Sequence, residues 1–480
     1  MIAEGRRKWY ALALICAVQF MVVLDIAIVN VALPSIQTDL GFSQENLQWV
    51  ISAYALVFGG FLLLGGRTAD LLGRRRVFIA GTIIFTLGSL LCGLAWSETS
   101  LIGARAIQGL GAATVTPAAL AILVRTFQEG RERNIALGAW GAVGGVGAAA
   151  GVLLGGVLTS ALSWEWIFFI NVPVGALALV LTPMLLTESR DAHGQTFDVP
   201  GAVLVTGGLT TLVYAITEGR GWGWTSGTTI AVFALAAGLL AAFIIWESRS
   251  KDPLVPFSIF RIQTLTAANI AGFTLGTVLF AMFLMLTLYM QQVLGYSPMQ
   301  TGLAYLAVAG TAVIWANVAA AAVNRVGVKP ALVFGMSLLT VGLVYFTQVS
   351  VGGSYWTDLL PGFLIIGLGM PFAFVPISIA ALAGTGPDQA GLASGLFNTS
   401  QQIGGAVGIA LLSTIAISTT ESGIADGSQQ PVALTDGFQA AFWVGAVVAL
   451  IGVLVSVFLV RGRDLQPVAE PTVEVALEAA

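Results

Sequence analysis

The chain has 480 residues, of which 57% are hydrophobic and only 9% are charged, and its formal net charge is −4. A soluble protein carries about 25% charged residues, so a soluble chain this apolar could not cover its core with polar surface. Apolar stretches of roughly 20 residues, each able to cross ~30 Å of hydrocarbon, recur along the sequence. These stretches are continuously apolar, whereas the strands of a membrane β-barrel alternate apolar and polar residues. The composition predicts an all-α polytopic membrane protein.

Fourteen spans are predicted in chain order. The first is interpreted as a retained span and not a signal peptide, because its apolar run is too long and no small-residue cleavage site follows. The predicted spans cover residues 9–33, 47–66, 77–96, 101–124, 134–160, 165–187, 199–217, 227–247, 265–290, 299–323, 329–348, 357–383, 389–416 and 437–460.

Basic residues indicate the orientation of these spans. With both termini in the cytoplasm, eighteen of the twenty Lys and Arg residues fall in inner segments, Arg220 falls outside, and Arg105 lies within a span. Cytoplasmic loops are enriched in Lys and Arg, so this asymmetry predicts a multi-pass plasma-membrane protein with both termini inside.

Two halves of six spans are expected on either side of an inserted pair. Span five is rich in glycine and so is its counterpart, span thirteen. Duplicated halves around a central cavity are typical of secondary transporters. The predicted organisation is an N-terminal six-helix half over 1–190, an inserted helix pair with its loops over 191–260, a C-terminal half over 261–463, and a disordered cytoplasmic tail over 464–480.

Asp25 and Arg105 are the two ionisable residues well inside the predicted hydrocarbon. A charge at that depth is costly unless it is paired or hydrated, which makes each a functional candidate. Arg105 shares one helical face with Gln108, and this polar stripe is expected to face a cavity. The structural alternatives are an Asp tied to a neighbouring helix and an Arg that joins two helices through backbone carbonyls.

Polar and small residues elsewhere give weaker signals. Asn30 follows Asp25 in span one, and Tyr289 and Gln291 at the end of span nine are candidates for the lining of an adaptable pocket, although helix packing explains such residues more often. Glycines in span five allow close helix approach, and packing alone accounts for them. No cysteine or histidine spacing indicates a metal site, and no motif indicates a nucleotide or another cofactor.

These segments together resemble the major facilitator superfamily, and in particular its fourteen-span drug:proton antiporter group. The matching residues are Gly66, Asp70, Gly73, Arg74 and Arg75 between spans two and three; Leu101, Arg105, Gln108, Gly109 and 111–113 in span four; the segment 25–34 in span one; and Gly147, Gly151, Gly155 and Gly156 in span five. Two positions depart from the pattern: Val152 replaces the proline expected after Gly151, and Ala27 replaces a hydroxyl residue.

The resemblance implies export of an amphipathic small molecule by alternating access, driven by proton entry. It implies that the charged segment 66–76 between spans two and three, which we call the hinge, forms a cytoplasmic gate. It also implies that Arg105 and Asp25 take part in proton coupling or substrate binding. The expected partners are protons, the amphipathic substrate and membrane lipids, with no nucleic acid, no metal, no cofactor and a monomeric state. The alternatives are a proton-coupled symporter or facilitator for a nutrient or lipid-like solute, and a membrane enzyme or lipid flippase.

Overall fold

The structure is a computed structural model that describes residues 4–43, 45–127, 131–189, 198–382 and 390–460. Within these ranges the regular secondary structure is helical throughout. The helices are α1 (Glu4–Leu40), α2 (Trp49–Leu72), α3 (Arg74–Gly93), α4 (Glu98–Thr126), α5 (Arg131–Ala161), α6 (Trp166–Phe169), α7 (Asn171–Leu185), α8 (Val199–Trp222), α9 (Gly227–Arg249), α10 (Gln263–Leu288), α11 (Pro298–Val326), α12 (Val328–Phe346), α13 (Leu360–Leu382), α14 (Ala390–Ala425) and α15 (Gln430–Phe458). The predicted tail, 464–480, lies outside the described residues.

The number of spans agrees with the sequence to within one. Thirteen helices in the described ranges are long and apolar enough to cross a membrane. The predicted fifth span corresponds to α5, which is not among the thirteen. Its apolar part within the described residues, Ala149–Ala161, is shorter than the length required of a span. The predicted all-α membrane fold is confirmed.

Several helices differ from the predicted spans at their ends. The first helix has 37 residues, which at 1.5 Å per residue is about 55 Å, and α14 has 36 residues. Both helices are longer than the hydrocarbon is thick. The predicted spans are shorter than these helices because hydropathy detects only the part of a helix that crosses lipid. The predicted sixth span is interrupted at Ile170, where α6 ends and α7 begins.

The helices pack as two groups. In the first, α1 packs on α5 and α7, and α4 packs on α2 and α3. In the second, α10 packs on α14 and α15, and α13 packs on α11 and α12. The groups meet where α2 packs on α14 and where α5 packs on α11, while α8 contacts both α2 and α14 and pairs with α9. The boundaries proposed for the two halves and the inserted pair stay a prediction.

We call the end of the bundle that carries the junction at Gly73 the hinge end, and the opposite end the distal end. The α5–α11 contact lies near the distal end and brings backbone against backbone. A Cβ on Gly156 would lie 2.7 Å from the Pro298 carbonyl oxygen, and one on Gly302 would lie 2.8 Å from the Val152 carbonyl oxygen. Real Cβ atoms essentially never come this close, so glycine is required at both positions.

Hydrogen bonds add to this distal closure. The Gln291 side-chain amide donates to the Val31 carbonyl over 2.9 Å, and the Met299 backbone amide donates to the Ser160 hydroxyl over 3.1 Å. Near the middle of α11, by contrast, the consecutive residues Val313, Ile314 and Trp315 are exposed, and they point to different sides of the helix. The two groups of helices are therefore closed at the distal end along α5 and α11, and α2 stays in contact with α14 as far as Leu63 and Gly395.

Candidate functional site

The two ionisable residues singled out in the sequence form a buried ion pair. The Arg105 Nη1 donates to Asp25 Oδ2 over 2.6 Å, and the two side chains are 1% and 0% exposed. They come from α4 and α1, 80 positions apart in the sequence. Pairing in this way reduces the cost of keeping each charge away from water.

Two amide side chains complete the coordination of the carboxylate. The Gln108 Nε2 donates to Asp25 Oδ1 over 2.7 Å, and Asn171 Nδ2 donates to the same oxygen over 3.0 Å. The Gln108 Oε1 in turn accepts from Arg105 Nη1 over 2.6 Å. Both Asp25 oxygens are thus hydrogen-bonded in this state, so the ionised carboxyl is well satisfied.

The guanidinium makes further contacts with its surroundings. Arg105 Nε donates to the Val50 carbonyl over 2.9 Å. The Arg105 Cζ lies 4.3 Å from the ring centroid of Tyr54 and 5.7 Å from that of Phe168, within cation–π range. Arg105 therefore ties α2 to α4 through a backbone carbonyl, as the structural alternative expected, and pairs with Asp25 as well.

The ion pair lies in the distal half of the bundle. Arg105 follows the first residue of α4, Glu98, by seven positions, which is about 10 Å along the helix. Val50 is the second residue of α2, and Asn171 is the first of α7. The network therefore lies just beneath the distal closure.

In this conformation described residues of neighbouring helices cover the polar stripe, so it does not face an open cavity among them. Arg105 and Gln108 point towards α1, α2 and α7, and their side chains are almost fully buried. The sequence pattern places the stripe on one helical face but carries no information on what covers that face. In this state neighbouring helices of the same group cover it.

The other residues predicted for proton or substrate binding lie apart from Asp25. Asn30 donates to the Ile26 carbonyl within α1. The Tyr289 hydroxyl donates to the Ser350 carbonyl over 2.6 Å, and Gln291 belongs to the distal closure. Of the six residues, the structure therefore brings together Asp25, Arg105 and Gln108 and places the other three elsewhere.

The predicted gate residues lie at the junction of α2 and α3. Gly73 has φ of 107°, and a Cβ there would lie 2.7 Å from Glu188 Oε1. Glu188 accepts from the backbone amides of Arg75 and Arg76 over 3.1 and 3.2 Å. This carboxylate therefore caps the N-terminus of α3 from the segment after α7, where a negative charge is favourable. Arg74 is buried, and its amide donates to the Ser189 carbonyl over 3.0 Å.

The remaining hinge residues have different surroundings. Gly66 would tolerate a Cβ at ordinary contact with Pro117, whereas a Cβ on its neighbour Gly65 would overlap the Ala113 carbonyl oxygen. The close approach of α2 to α4 therefore occurs at Gly65, which the motif comparison did not single out. The Asp70 side chain lies outside the described part of the chain.

The four glycines predicted for helix packing face two different helices. Gly147, Gly151 and Gly155 contact α1, where a Cβ on Gly151 would lie 2.8 Å from both the Ala27 Cβ and the Leu24 carbonyl oxygen. Gly156 contacts α11. One side of α5 therefore packs within its own group, and the adjacent side forms the distal closure.

Sequence reasoning missed several members of this site. Asn171 is the one amide residue in the predicted span 165–187, which is the signal that could have identified it. Tyr54 and Glu188 gave no comparable signal, because an aromatic residue in an apolar span and a glutamate in a polar loop are common.

Comparison with known proteins identifies the family. The profile of the Major Facilitator Superfamily matches residues 15–409. The chain belongs to this superfamily. Members of the superfamily are transporters, so the chain is a multi-pass membrane transporter and the alternative of a membrane enzyme is not supported.

Two curated relatives align over nearly the whole chain. A puromycin resistance protein, pur8 of Streptomyces alboniger, is 40% identical over 93% of this chain and 89% of its own length. A cephamycin export protein, CmcT of Amycolatopsis lactamdurans, is 39% identical over 93% of this chain and 91% of its own. Relatives named for drug resistance and export support the predicted drug-exporter group.

A solved structure supports the fold. A crystal structure of the peptide transporter POT in complex with sulfate superposes with a TM-score of 0.69 over 97% of this chain and 100% of that chain. Its sequence identity is 15%, so the likeness concerns the fold alone.

Proposed function

We propose that this transporter exports an amphipathic drug or hydrophobic metabolite in exchange for protons by alternating access. The observation that carries the proposal is the buried network of Asp25, Arg105, Gln108 and Asn171 beneath the distal closure. The resistance and export functions in the names of the relatives support the choice of cargo.

The Asp25–Arg105 contact supports a coupling role. Three donors, one of them the Arg105 guanidinium, stabilise the ionised form of the Asp25 carboxyl, so protonation competes with these contacts. Protonation would neutralise the carboxyl and leave Arg105 without its counter-ion, which in a buried setting costs several kcal/mol. Proton binding at Asp25 is therefore linked to movement of α1 relative to α4.

The closure of the bundle supports the direction of proton entry. With the basic hinge residues in the cytoplasm, the distal end faces outside, so this conformation is closed towards the outside. In this state Asp25 is paired with Arg105 beneath the outer closure. When the outer ends separate, outside water comes within about 10 Å of the network, and a proton entering there crosses the remaining membrane only after the helices rearrange.

Transport in inverted membrane vesicles tests this function. A respiration-driven gradient, acidic inside the vesicle, is established first, and ethidium or a hydrophobic antibiotic is then added. The transporter is expected to accumulate the compound in the vesicle while protons leave, so that the pH gradient partly collapses. The single elementary charge that moves is worth ~2.3 kcal/mol per 100 mV, which sustains more than tenfold accumulation of a neutral compound.

The Asp25→Asn variant provides the decisive comparison. It should insert in the membrane yet lose gradient-driven accumulation, whereas Asp426→Asn, which changes an exposed carboxyl at the distal end, should transport as the wild type does. Wild-type accumulation by Asp25→Asn would refute the coupling role. Movement of compound and protons in the same direction would instead identify the symporter that the sequence left as an alternative.

A further inference from the structure

A second pair of buried carboxyl groups lies at the hinge end of the inserted helices. Asp198 immediately precedes α8 and is 4% exposed, and Glu247 near the end of α9 is 3% exposed. Neither residue belongs to the motifs of the resemblance, and neither contacts the Asp25 network. Two acidic side chains rarely share a buried site without a partner that balances their charge.

One oxygen of each carboxyl is satisfied. Asp198 Oδ1 accepts from the Trp246 indole over 2.6 Å and from the Gly201 backbone amide over 2.9 Å. Glu247 Oε2 accepts from the Val255 backbone amide over 3.5 Å. These contacts hold the two groups in place and leave the second oxygen of each turned away from the donors.

The two remaining oxygens converge. Asp198 Oδ2 and Glu247 Oε1 are buried, and among the described residues neither has a hydrogen-bond partner. Both lie beside Gly201, at 2.7 and 2.9 Å from the position that a Cβ there would take, so they are less than 6 Å apart. A buried oxygen without a donor costs about 1–3 kcal/mol, and more when it is charged. The pair therefore lacks one small donor at its centre.

A proton fits this place better than a metal ion does. Only two oxygens converge, whereas Ca²⁺ takes six to eight oxygen ligands and Mg²⁺ takes six. The charged groups acting on Glu247 are Asp198 beside it and Arg67 on α2, and the guanidinium of Arg67 donates to the Asp252 and Pro253 carbonyls. Within the described residues around Glu247, no cation is hydrogen-bonded to either carboxyl.

We propose that Asp198 and Glu247 bind one proton between them and form a second protonation site, distinct from Asp25, on the hinge side of the inserted helix pair. The proton comes from cytoplasmic water and forms an O–H bond on one carboxyl, which then donates to the facing oxygen of the other. The charge of the pair changes from −2 to −1, and both orphan oxygens are satisfied.

The site is connected to the gate through the segment 252–255. On one side, Arg67 in the hinge donates to the Asp252 and Pro253 carbonyls over 2.6 and 3.0 Å. On the other, the Val255 amide donates to Glu247. Loss of the shared proton makes Glu247 a stronger acceptor for the Val255 amide and increases its attraction to Arg67, so it tightens the attachment of the inserted pair to the hinge. Cytoplasmic pH would thereby act on the gate without passing through Asp25.

Infrared difference spectroscopy of the purified full chain tests the proposal. The wild type at about pH 7 should show the carbonyl stretch of a buried protonated carboxyl, which disappears as the pH is raised. Asp198→Asn and Glu247→Gln should each remove this pH-dependent band. Asp426→Asn should keep it, and so should Asp25→Asn, which separates this site from the coupling function proposed above.

A third variant keeps both carboxyls and changes only their spacing. Gly201→Ala places a methyl group within 3 Å of both oxygens and must push them apart. The band should then be lost at a lower pH than in the wild type, because separated carboxyls no longer share the proton. This readout remains available if either carboxyl variant fails to fold.

Three results would overturn the proposal. The first is the absence of any protonated-carboxyl band in the wild type above about pH 5, where ordinary carboxyls are ionised. The second is a band that persists unchanged in Asp198→Asn, Glu247→Gln and Gly201→Ala. The third is loss of the band on addition of Na⁺ or Mg²⁺ at constant pH, which would identify a cation site in place of a proton site.

Discussion

The buried pair of Asp25 and Arg105 should be strongly coupled in stability. We consider the neutral substitutions Asp25→Asn and Arg105→Gln, singly and together. Asp25 accepts hydrogen bonds on both oxygens, but an asparagine side chain has only one acceptor oxygen. Asp25→Asn therefore places an N–H group opposite one of the groups that donate to Asp25 in the wild type. Arg105→Gln leaves a buried carboxylate with no counter-ion. The double variant leaves neither charge and allows a neutral hydrogen bond between the two side chains.

The magnitude follows from burial. Removing one partner of a buried ion pair costs about 3–5 kcal/mol, because the other charge remains uncompensated. Residues in direct contact couple by about 0.5–3 kcal/mol. Because the pair is almost fully buried and its carboxylate accepts three hydrogen bonds, we expect a coupling of about 2–3 kcal/mol. The double variant should therefore lose about 2–3 kcal/mol less free energy of unfolding than the two single variants lose together.

The Lys8–Glu132 pair gives a matched control. Its nitrogen–oxygen distance is 2.6 Å, the same as in the buried pair, but its side chains are 28% and 47% exposed. An exposed pair contributes about 0.2–1 kcal/mol. The cycle Lys8→Gln, Glu132→Gln and their double variant should therefore show a coupling below 1 kcal/mol.

Unfolding of the purified protein by sodium dodecyl sulfate in mixed micelles measures all six variants and the wild type. The fraction folded is followed by near-UV circular dichroism, which reports tertiary packing, and the free energies of unfolding are compared at one detergent composition. The reasoning fails if the buried pair couples no more strongly than the exposed pair. It also fails if Arg105→Gln is as stable as the wild type.

Two further predictions concern packing and the hinge. Gly151→Ala should lower the free energy of unfolding by about 1–3 kcal/mol, because its Cβ would lie 2.8 Å from α1, whereas Gly310→Ala, which meets open space, should be neutral or stabilising in the same assay. Glu188→Ala removes the cap of α3 and should destabilise the hinge by about 1 kcal/mol, seen as faster tryptic cleavage at Arg75 or Arg76 than in the exposed control Asp426→Ala. Equal behaviour of each variant and its control would contradict these assignments.

Much of the fold follows from hydropathy, since an apolar run long enough to cross lipid must form a helix to satisfy its backbone. Helix ends follow less well. The continuation of α1 to Leu40 lies beyond the hydrocarbon, where hydropathy carries no signal, and the break at Ile170 occurs within a continuous apolar run. Both depend on tertiary packing.

The candidate site was predictable in its charges and not in its surroundings. Asp25 and Arg105 were identifiable because each is costly in lipid. Their pairing was not, because 80 residues separate them and either could have been hydrated in a cavity. The role of Glu188 was equally hidden, because it depends on where the loop after α7 lies relative to α3.

The enclosure of Asp25 by helices of a single group also bears on how such a transporter can change its cargo. None of its described hydrogen bonds reaches α10–α15. Mutations in this second group of helices can therefore accumulate without removing a hydrogen-bond partner of Asp25. Under the proposed exchange, selection for a new cargo then acts on one group of helices while the coupling residue in the other is inherited intact.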